Sequence, residues 1–390
     1  MREKDMRFGG AREKRVRAEG VNMRLGRIGM SEGASAAAIA MTAGGIFGFE
    51  SSLLYANGNS SFITLPLAAL VSLAVFLLIA AMMEKSGAGN LGQLLKTAFG
   101  AFSPLVAFGL ALIPIYAAYA PLSQFVRAMH GLFFDGVSYS RIVVFTFPAV
   151  LVCALLGFET IGRTARLIAP ALMAVLVLAA AASSVEFEAY RLFPLLGNGS
   201  AGIAVQVLRG IGVFLPALLC LLVNADGLNG LATARRAGVR AAAAGALILL
   251  AVQLSLGLCY TYKQLAELFM PFFRINYLNK FEAHLMRMDK LAHMTWLGGA
   301  MLAGAFHIHA CARLFSQGFE IRDIRPAASA LALTAALMIM IETESGHAAA
   351  AAAVKRFMSE SGFILAAAPP LIAGMLAVLR KGTETRRARA

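Results

Sequence analysis

The stretches Gly44-Gly45-Ile46-Phe47-Gly48 and Gly210-Ile211-Gly212-Val213-Phe214-Leu215-Pro216 place glycine and proline in the middle of two long apolar runs. Glycine costs a helix interior about 1 kcal/mol and proline about 3 kcal/mol, so both stretches are predicted to interrupt a helix. Interrupted segments at matching positions in two halves of a chain are the best sequence indication of a ligand site at mid-membrane depth. Close helix packing is the alternative explanation for the glycines, because small residues let helices approach one another.

The runs that hold these stretches are two of ten that are long and apolar enough to cross a bilayer as helices. The chain has 390 residues, is 59% hydrophobic and 14% charged, and has a mean hydropathy of +0.72. Soluble domains are about 45–50% apolar and about 25% charged, so a water-soluble enzyme and a disordered chain are excluded. The sequence therefore predicts an all-α integral membrane protein. The ten predicted spans lie near 33–56, 62–83, 102–126, 141–157, 165–183, 201–223, 241–260, 291–312, 327–342 and 362–380.

The Lys and Arg residues predict the orientation of these spans. The formal net charge is +14, and most of the cations fall on the side of the membrane that holds the N-terminus. Because cytoplasmic loops carry the excess of Lys and Arg, both termini are predicted to be cytoplasmic. The same charge is expected to contact anionic membrane lipids, and nucleic acid is not an expected partner.

The predicted organisation is a basic cytoplasmic arm at 1–28, a membrane domain at 29–380 and a basic cytoplasmic tail at 381–390. Within the membrane domain, 90–99 is predicted to be a short surface helix. The stretch 261–290 mixes aromatic and charged residues, which predicts an amphipathic connection at the extracytoplasmic interface.

Two charged residues lie next to the glycine stretches. Glu50 comes shortly after Gly48, and Arg209 directly precedes Gly210. A charge at this depth in a membrane is costly unless it is paired or hydrated, which makes both residues candidates for ligand binding. Both also have a structural explanation, since Arg209 can extend to the headgroups and Glu50 can be a protonated or paired carboxylate at a helix end. The hypothesis is that Glu50 and Arg209 flank one pocket and pair with each other or with the two ends of a zwitterionic ligand.

The third and eighth predicted spans add polar residues. Tyr116 and Tyr119 share one helical face and could offer hydroxyl groups to a pocket, although anchoring at the membrane interface explains Tyr119 equally well. His307 and His309 are two residues apart and so point in different directions on a helix. Their spacing predicts hydrogen bonds between helices and no shared metal site.

No arrangement of residues in the sequence indicates an enzyme, a cofactor or a metal centre. Glu342 and Glu344 come at the end of the ninth predicted span and are expected to be solvated. The four cysteines are scattered singly in apolar runs and are predicted to be small buried hydrophobic residues without disulfides. They are Cys153, Cys220, Cys259 and Cys311.

Three further segments carry a family resemblance. They are Met270-Pro271-Phe272-Phe273 followed by Phe281–Lys290 and Trp296, the turn Gly157–Arg163, and the loop Phe193–Gly199. In order and spacing they are similar to segments of the spore germination permeases of the GerAB type, within the amino acid–polyamine–organocation superfamily. The resemblance covers about 28–380, which is nearly the whole chain.

The resemblance implies a LeuT-like fold of two inverted five-helix repeats, with the first and sixth spans broken and a small nutrient bound at the breaks. It also implies an ion pair of Glu159 with Arg163 at a cytoplasmic turn, and a structural pair of Arg287 with Asp289 at the outer end of the eighth span. Together with the two charged residues described above, it gives the predicted ligand-binding set. This set is Gly44, Gly45, Ile46, Gly48, Glu50, Tyr116, Arg209, Gly210, Gly212 and Phe214.

Members of the resembled family act in the spore inner membrane as one subunit of a nutrient germinant receptor, beside an A-type subunit and a C-type lipoprotein. The resemblance therefore implies a nutrient sensor that triggers germination, with an amino acid as the expected ligand. Binding would shift a two-state equilibrium through a difference in affinity between the states. The main alternative is a proton-coupled transporter of amino acids or polyamines that uses Glu50 as its proton carrier. A scaffold that only supports partner subunits is a third.

Overall fold

The computed structural model describes residues 27–47, 55–268, 271–272, 288–344 and 348–387, and throughout this part of the chain the regular structure is helical. Short turns and 3-10 segments join the helices. In chain order the α-helices are α1 Met30–Phe47, α2 Ser61–Ser86, α3 Leu91–Phe99, α4 Ser103–Leu132, α5 Tyr139–Leu156, α6 Phe158–Ser183, α7 Ser200–Val223, α8 Leu231–Cys259, α9 Tyr262–Glu267, α10 Met288–Phe319, α11 Arg325–Glu344 and α12 Ala348–Arg387.

All of these helices except α3 and α9 have at least 18 residues, and each of the long ones overlaps one of the predicted spans. Within the described ranges, eight helices are long and apolar enough to cross a membrane, which confirms the prediction of an all-α membrane protein. Neither α1 nor α10 is among the eight, and most of α1 is buried. A helix enclosed by protein can carry small and polar residues that lipid would not accept. The count of ten crossings stays a prediction.

Both glycine stretches are helical where the structure describes them. α1 ends at Phe47, immediately before Gly48, and residues 48–54 lie outside the described part of the chain. The predicted break of the sixth span is wrong, because α7 runs unbroken from Ser200 to Val223. Gly210 allows a close approach to α2, where a Cβ atom on this residue would come within 2.7 Å of the Ala68 methyl group. Tight packing thus holds the helix together at a position where propensity alone favours unwinding.

The packing of the helices relates the two halves of the chain. The first helix of each half packs on the second helix of the other half: α1 packs on α8, and α7 packs on α2. The first helix of each half also packs on the last helix of its own half: α1 packs on α6, and α7 packs on α12. α4 and α10 form a further closely packed pair. These are the neighbours that two repeated five-helix halves predict, while the inverted repeat itself stays a prediction.

At one end of the bundle, contacts are made by the segment before α1 and by the first turn of α1. The Ile28 backbone N–H donates to the Gly227 carbonyl at 3.0 Å. Arg166 of α6 forms an ion pair with Glu32 of α1 at 2.9 Å. We call this the N-terminal end, and it is the end that the charge pattern predicts to be cytoplasmic.

The opposite end is formed by the turn before α2 and the loop before α7. A Cβ atom on Gly197 would come within 1.6 Å of the Asn57 carbonyl oxygen, and Gly197 has a φ of +56°, so glycine is required there. The Tyr55 hydroxyl donates to the Gln253 side chain of α8 at 2.7 Å. Successive connections between the long helices therefore lie at alternating ends of the bundle, as expected for a chain that crosses a membrane repeatedly.

The short helix α3 confirms the surface helix that was predicted at 90–99. Its N-cap is Asn90, whose side chain accepts a hydrogen bond from the Gln93 backbone N–H at 2.9 Å. Leu94 and Leu95 are buried on one face, whereas Lys96 lies on the exposed face.

The predicted amphipathic connection at 261–290 is described only in part. It begins with α9, which starts at a capping box formed by Thr261 and Gln264. Further along, Phe272 is buried against Phe47 and Trp296, with ring centroids 6.4 and 6.3 Å away. This part of the connection is therefore packed into the bundle, and 273–287 lies outside the described residues.

We predict that Gly238→Ala on α8 destabilises the protein by about 1–3 kcal/mol, because it overpacks a filled contact. The new methyl group would lie 2.4 Å from the ring of the buried Phe76. Thermal unfolding of the detergent-solubilised protein measures this effect. The matched control is Gly109→Ala on α4, where a Cβ atom has nothing within 4 Å and alanine favours the helix. Equal unfolding midpoints for Gly238→Ala and the unmodified chain would contradict the prediction.

Candidate functional site

A cavity that opens to the exterior lies between α1, α4, α7, α10 and α12, and its space together with the solvent at its opening amounts to about 750 Å³. Helices from both halves of the chain form its wall. Residues of both glycine stretches also belong to this wall. Its wall includes Ala40 and Gly44 of α1, Tyr116, Ala117 and Pro121 of α4, Arg209, Gly212 and Pro216 of α7, His307 of α10, and Lys355 and Ser359 of α12.

Four of the predicted ligand-binding residues line this cavity, namely Gly44, Tyr116, Arg209 and Gly212. Gly212 is exposed although both of its chain neighbours are buried, and a Cβ atom built on it would have nothing within 4 Å. The missing side chain therefore leaves the α7 backbone open to the cavity. On Gly44 a Cβ atom would be 3.6 Å from the nearest carbon of Val213, so α1 and α7 approach each other closely there.

Four other predicted residues face neighbouring helices. A Cβ atom on Gly45 would lie 2.5 Å from a methyl group of Leu249 on α8, so this glycine serves helix packing. Gly210 has the same role against α2, and Phe214 is fully buried in the core. Ile46 is partly buried against the same core.

Three predicted residues, Gly48, Glu50 and Arg287, lie outside the described part of the chain. Asp289 lies in the first turn of α10, in a stretch whose side chains are not described. The Arg287–Asp289 pair and the contact between Glu50 and Arg209 therefore stay predictions.

Arg209 carries the cationic charge of α7 into the cavity wall. Its side chain is only 16% exposed, and its carboxylate neighbour among the described residues is Glu360 of α12, at 3.8 Å. Glu360 is shared, because Arg356 also binds it, at 3.2 Å. The Nε atom of Arg209 is buried without a hydrogen-bond partner in the described part of the protein. Because this buried guanidinium group has only a distant, shared carboxylate among the described residues, binding of an anionic group in the cavity would be favourable.

The second cation in the wall, Lys355, belongs to a buried ion cluster centred on Glu342. The Lys355 Nζ atom lies 2.5 Å from one Glu342 carboxylate oxygen, and Arg127 of α4 binds the same oxygen. Both Lys355 and Glu342 are almost fully buried. The expectation that Glu342 is solvated is therefore wrong. The predicted tenth span began at 362, whereas α12 begins at Ala348, so the sequence-based boundary placed Lys355 outside the helix that carries it.

The other oxygen of Glu342 accepts hydrogen bonds from two residues of α4. The Tyr119 and Ser123 hydroxyl groups each donate to it at 2.5 Å. Tyr119 is 2% exposed, so interfacial anchoring is not its role. The cluster joins α4, α11 and α12 directly beside the cavity, and its two cations exceed its one carboxylate.

The two histidines of α10 have different partners. The His309 Nδ1 atom lies 3.1 Å from the Ala154 carbonyl of α5, a bond between helices, whereas the His307 Nδ1 atom lies 2.9 Å from the Ala303 carbonyl of its own helix. His307 also lines the cavity. Among the described residues, no group of three or more His, Cys, Asp or Glu residues could hold a metal ion.

Comparison with known protein families identifies the chain. A family model described as "Spore germination protein" matches residues 27–347. The chain belongs to the spore germination protein family. No curated protein matches it.

The fold of this spore germination protein is that of LeuT-type transporters. A Na⁺-coupled sialic acid symporter in a substrate-bound outward-open state matches with a TM-score of 0.64 and 12% identity, over 91% of this chain and 89% of the symporter. MhsT, in complex with L-phenylalanine, matches with a TM-score of 0.57 and 15% identity, over 88% of this chain and 87% of MhsT. The manganese transporter of Eremococcus coleocola matches with a TM-score of 0.54 and 13% identity, over 90% of this chain and 78% of the transporter.

The family resemblance also placed Glu159 and Arg163 in an ion pair at a turn between helices. In the germination protein these residues lie in the first turns of α6 and bind each other one helical turn apart. Their side chains are partly or mostly exposed, so the pair orders the start of α6 and contributes little to stability.

We predict that Glu342→Gln destabilises the protein by about 3–5 kcal/mol, because it leaves two cations, one of them buried, without their carboxylate. The expected result is a strongly lowered unfolding temperature in detergent. Lys355→Met should cost less, because Arg127, Tyr119 and Ser123 still bind the carboxylate.

The control for this prediction is Glu320→Gln at the N-terminal end, where an exposed ion pair with Lys96 is removed. It should have little measurable effect on the unfolding temperature. A Glu342→Gln protein as stable as the Glu320→Gln protein would show that the cluster does not hold the helices together.

Proposed function

We propose that this member of the spore germination protein family is a membrane-embedded nutrient sensor that binds an amino acid in the cavity between α1, α4 and α7. In this proposal, binding of the nutrient triggers germination. The protein acts in the spore inner membrane as one subunit of a germinant receptor, beside an A-type subunit and a C-type lipoprotein. The family membership and the cavity support the proposal.

The observation that carries the proposal is the position of Arg209. Its guanidinium group lies in the cavity wall and is mostly buried. Among the described residues, its buried Nε atom has no hydrogen-bond partner, and its carboxylate neighbour is the shared Glu360 at 3.8 Å. A guanidinium group binds a carboxylate through charge-assisted hydrogen bonds, which are stronger than neutral ones. The carboxylate of a free amino acid is such a partner.

The charge of the cavity favours amino acids over polyamines. Its described wall includes Arg209 and Lys355, and it includes no Asp or Glu. A polyamine carries several positive charges and would meet like charges there, which costs free energy in a site of low dielectric. MhsT, one of the proteins with this fold, was solved with an amino acid, L-phenylalanine.

We predict that Arg209→Gln weakens amino-acid binding roughly 10- to 100-fold, the size expected for the loss of a hydrogen bond to a charged group. Arg209→Lys should retain part of the affinity because it keeps the charge. Calorimetry with the purified protein and a panel of L-amino acids measures the affinity, and spores that carry Arg209→Gln should need more nutrient to germinate. Arg166→Gln, at an exposed ion pair of the N-terminal end, is the control. An unchanged affinity in Arg209→Gln would contradict the proposed site.

A secondary transporter is the second candidate function. A smaller apolar cavity of about 250 Å³ continues beside the first, and both share the wall residues Ile113 and Pro216. It extends to Leu91 of α3 and Val223 at the end of α7, both at the N-terminal end. This apolar hollow has room for about one water molecule, and it lies between the first cavity and the N-terminal end. Several proteins of this fold are symporters or transporters.

Two measurements separate the sensor from the transporter. Spores of a strain that lacks this gene should lose germination in response to one class of nutrient if the protein is a sensor. Vesicles that contain the protein should then bind the nutrient without accumulating it. Proton-dependent uptake that is abolished by Glu50→Gln would instead establish the transporter, and normal germination of the deletion strain would contradict the sensor.

A further inference from the structure

Lys355 is a second cation of the cavity wall, in addition to the Arg209 on which the proposed function depends. It lies on α12, and the wall also includes Ser359 and Gly362 of this helix. Residues spaced by four and three positions share one face of a helix, so this face of α12 forms one side of the cavity. The Lys355 side chain is almost fully buried, and its charge is therefore shielded from bulk water.

The ammonium group of Lys355 has hydrogen-bond donors to spare. Among the described residues its hydrogen-bond acceptor is Glu342, whereas an ammonium group carries three donors. The Nζ atom also lies 5.9 Å from the centre of the Tyr119 ring, which is 6.1 Å from the ring of Tyr116 in the cavity wall. These contacts hold the ammonium group close to the Tyr116 side of the cavity.

The ion cluster around Glu342 has an excess of positive charge. Lys355 and Arg127 both bind this carboxylate, and in the described part of the chain neither of them binds another acid. The Tyr119 and Ser123 hydroxyl groups that also bind Glu342 add no charge. Because a buried charge without compensation costs free energy, a second anionic group beside Lys355 would be favourable.

The two cations of the wall are offset from each other along α12. Arg209 approaches this helix at Glu360, which is five residues beyond Lys355. Five residues of α-helix correspond to a rise of about 7.5 Å. A single carboxylate bound to Arg209 would therefore leave Lys355 without an added partner, whereas a ligand with a carboxylate at each end can bind both cations.

From these contacts we infer that the ligand is an acidic amino acid, whose side-chain carboxylate binds Lys355 while its α-carboxylate binds Arg209. The inference rests on the proposed function and specifies its ligand as glutamate or aspartate. A neutral amino acid has no net charge and leaves the excess charge beside Lys355 uncompensated. An acidic amino acid brings a net negative charge to a wall whose described residues include these two cations and no acid.

The test compares each acidic amino acid with its amide, on the full-length protein in lipid nanodiscs. Glutamate and glutamine have nearly the same shape, as do aspartate and asparagine, so each pair differs mainly in the charge of the side chain. Calorimetry should show that at least one acid binds about tenfold or more tightly than its amide, the size expected for a hydrogen bond between charged groups.

Substitutions of Lys355 assign this preference to its ammonium group. Lys355→Gln removes the charge and keeps a hydrogen-bond donor for Glu342. It should lower the affinity for the acid about tenfold and leave the affinity for the amide unchanged, so that acid and amide bind alike. Lys355→Arg keeps the charge and should retain much of the preference. Arg209→Gln should instead weaken the binding of acid and amide equally, because both carry the α-carboxylate.

The matched control is Lys96→Gln. Lys96 is an exposed lysine of α3 that pairs with Glu320 at the N-terminal end. Its substitution removes the same charge from the protein and should leave the ratio of the acid and amide affinities as it is. The unfolding temperature of each variant, together with its affinity for the amide, shows whether the cavity is intact.

The outcomes separate the inference from the proposed function. Equal affinities for acid and amide in the unmodified protein overturn the inference and leave an amino-acid site in place. This comparison needs no substitution, so it decides even where Lys355→Gln does not fold. A preference for the acid that persists in folded Lys355→Gln also overturns the inference, because another group would then recognise the side chain. If no amino acid binds the unmodified protein, the proposed function fails and the inference fails with it.

Discussion

Inside a bilayer there is no water to satisfy a backbone carbonyl or N–H, so the polypeptide must bond these groups to itself. This constraint accounts for the helical structure of the described chain, and it gives meaning to the places where the bonding is incomplete. Pro121 and Pro216 each remove one donor from a helix, and both stand in the wall of the larger cavity.

Buried charge sets the second constraint. Glu342 is held by Lys355, Arg127 and two hydroxyl groups from α4, so its desolvation is offset by four donors. Because Lys355 also lines the cavity, the cluster connects the cavity to α4 and α11, which belong to different halves of the chain. Lys355 therefore links the cavity wall to the packing of three helices.

Close helix packing explains more of the glycines than helix breaking does. Gly45, Gly210 and Gly238 each leave room for a side chain of another helix, at Leu249, Ala68 and Phe76. Gly212 is different, because nothing fills the space where its side chain would be. Neighbouring glycines in one stretch of sequence thus have opposite roles, one in packing and one in the cavity wall.

The sequence by itself determined the all-helical membrane class, the approximate positions of the long helices and the participation of Gly44, Tyr116, Arg209 and Gly212 in one region. The class and the helices follow from composition and from the length of apolar runs, which are local properties. The four residues follow from the paired glycine stretches, from the depth of Arg209 and from the family resemblance. Only the tertiary structure decided that α7 stays unbroken, that Glu342 is buried and that Lys355 reaches the cavity. Each of these depends on a partner far along the chain, such as Ala68 for Gly210 or Arg127 for Glu342, and no local pattern specifies such a partner. Helix ends were also decided by packing, since α12 extends well before the apolar run that predicted it.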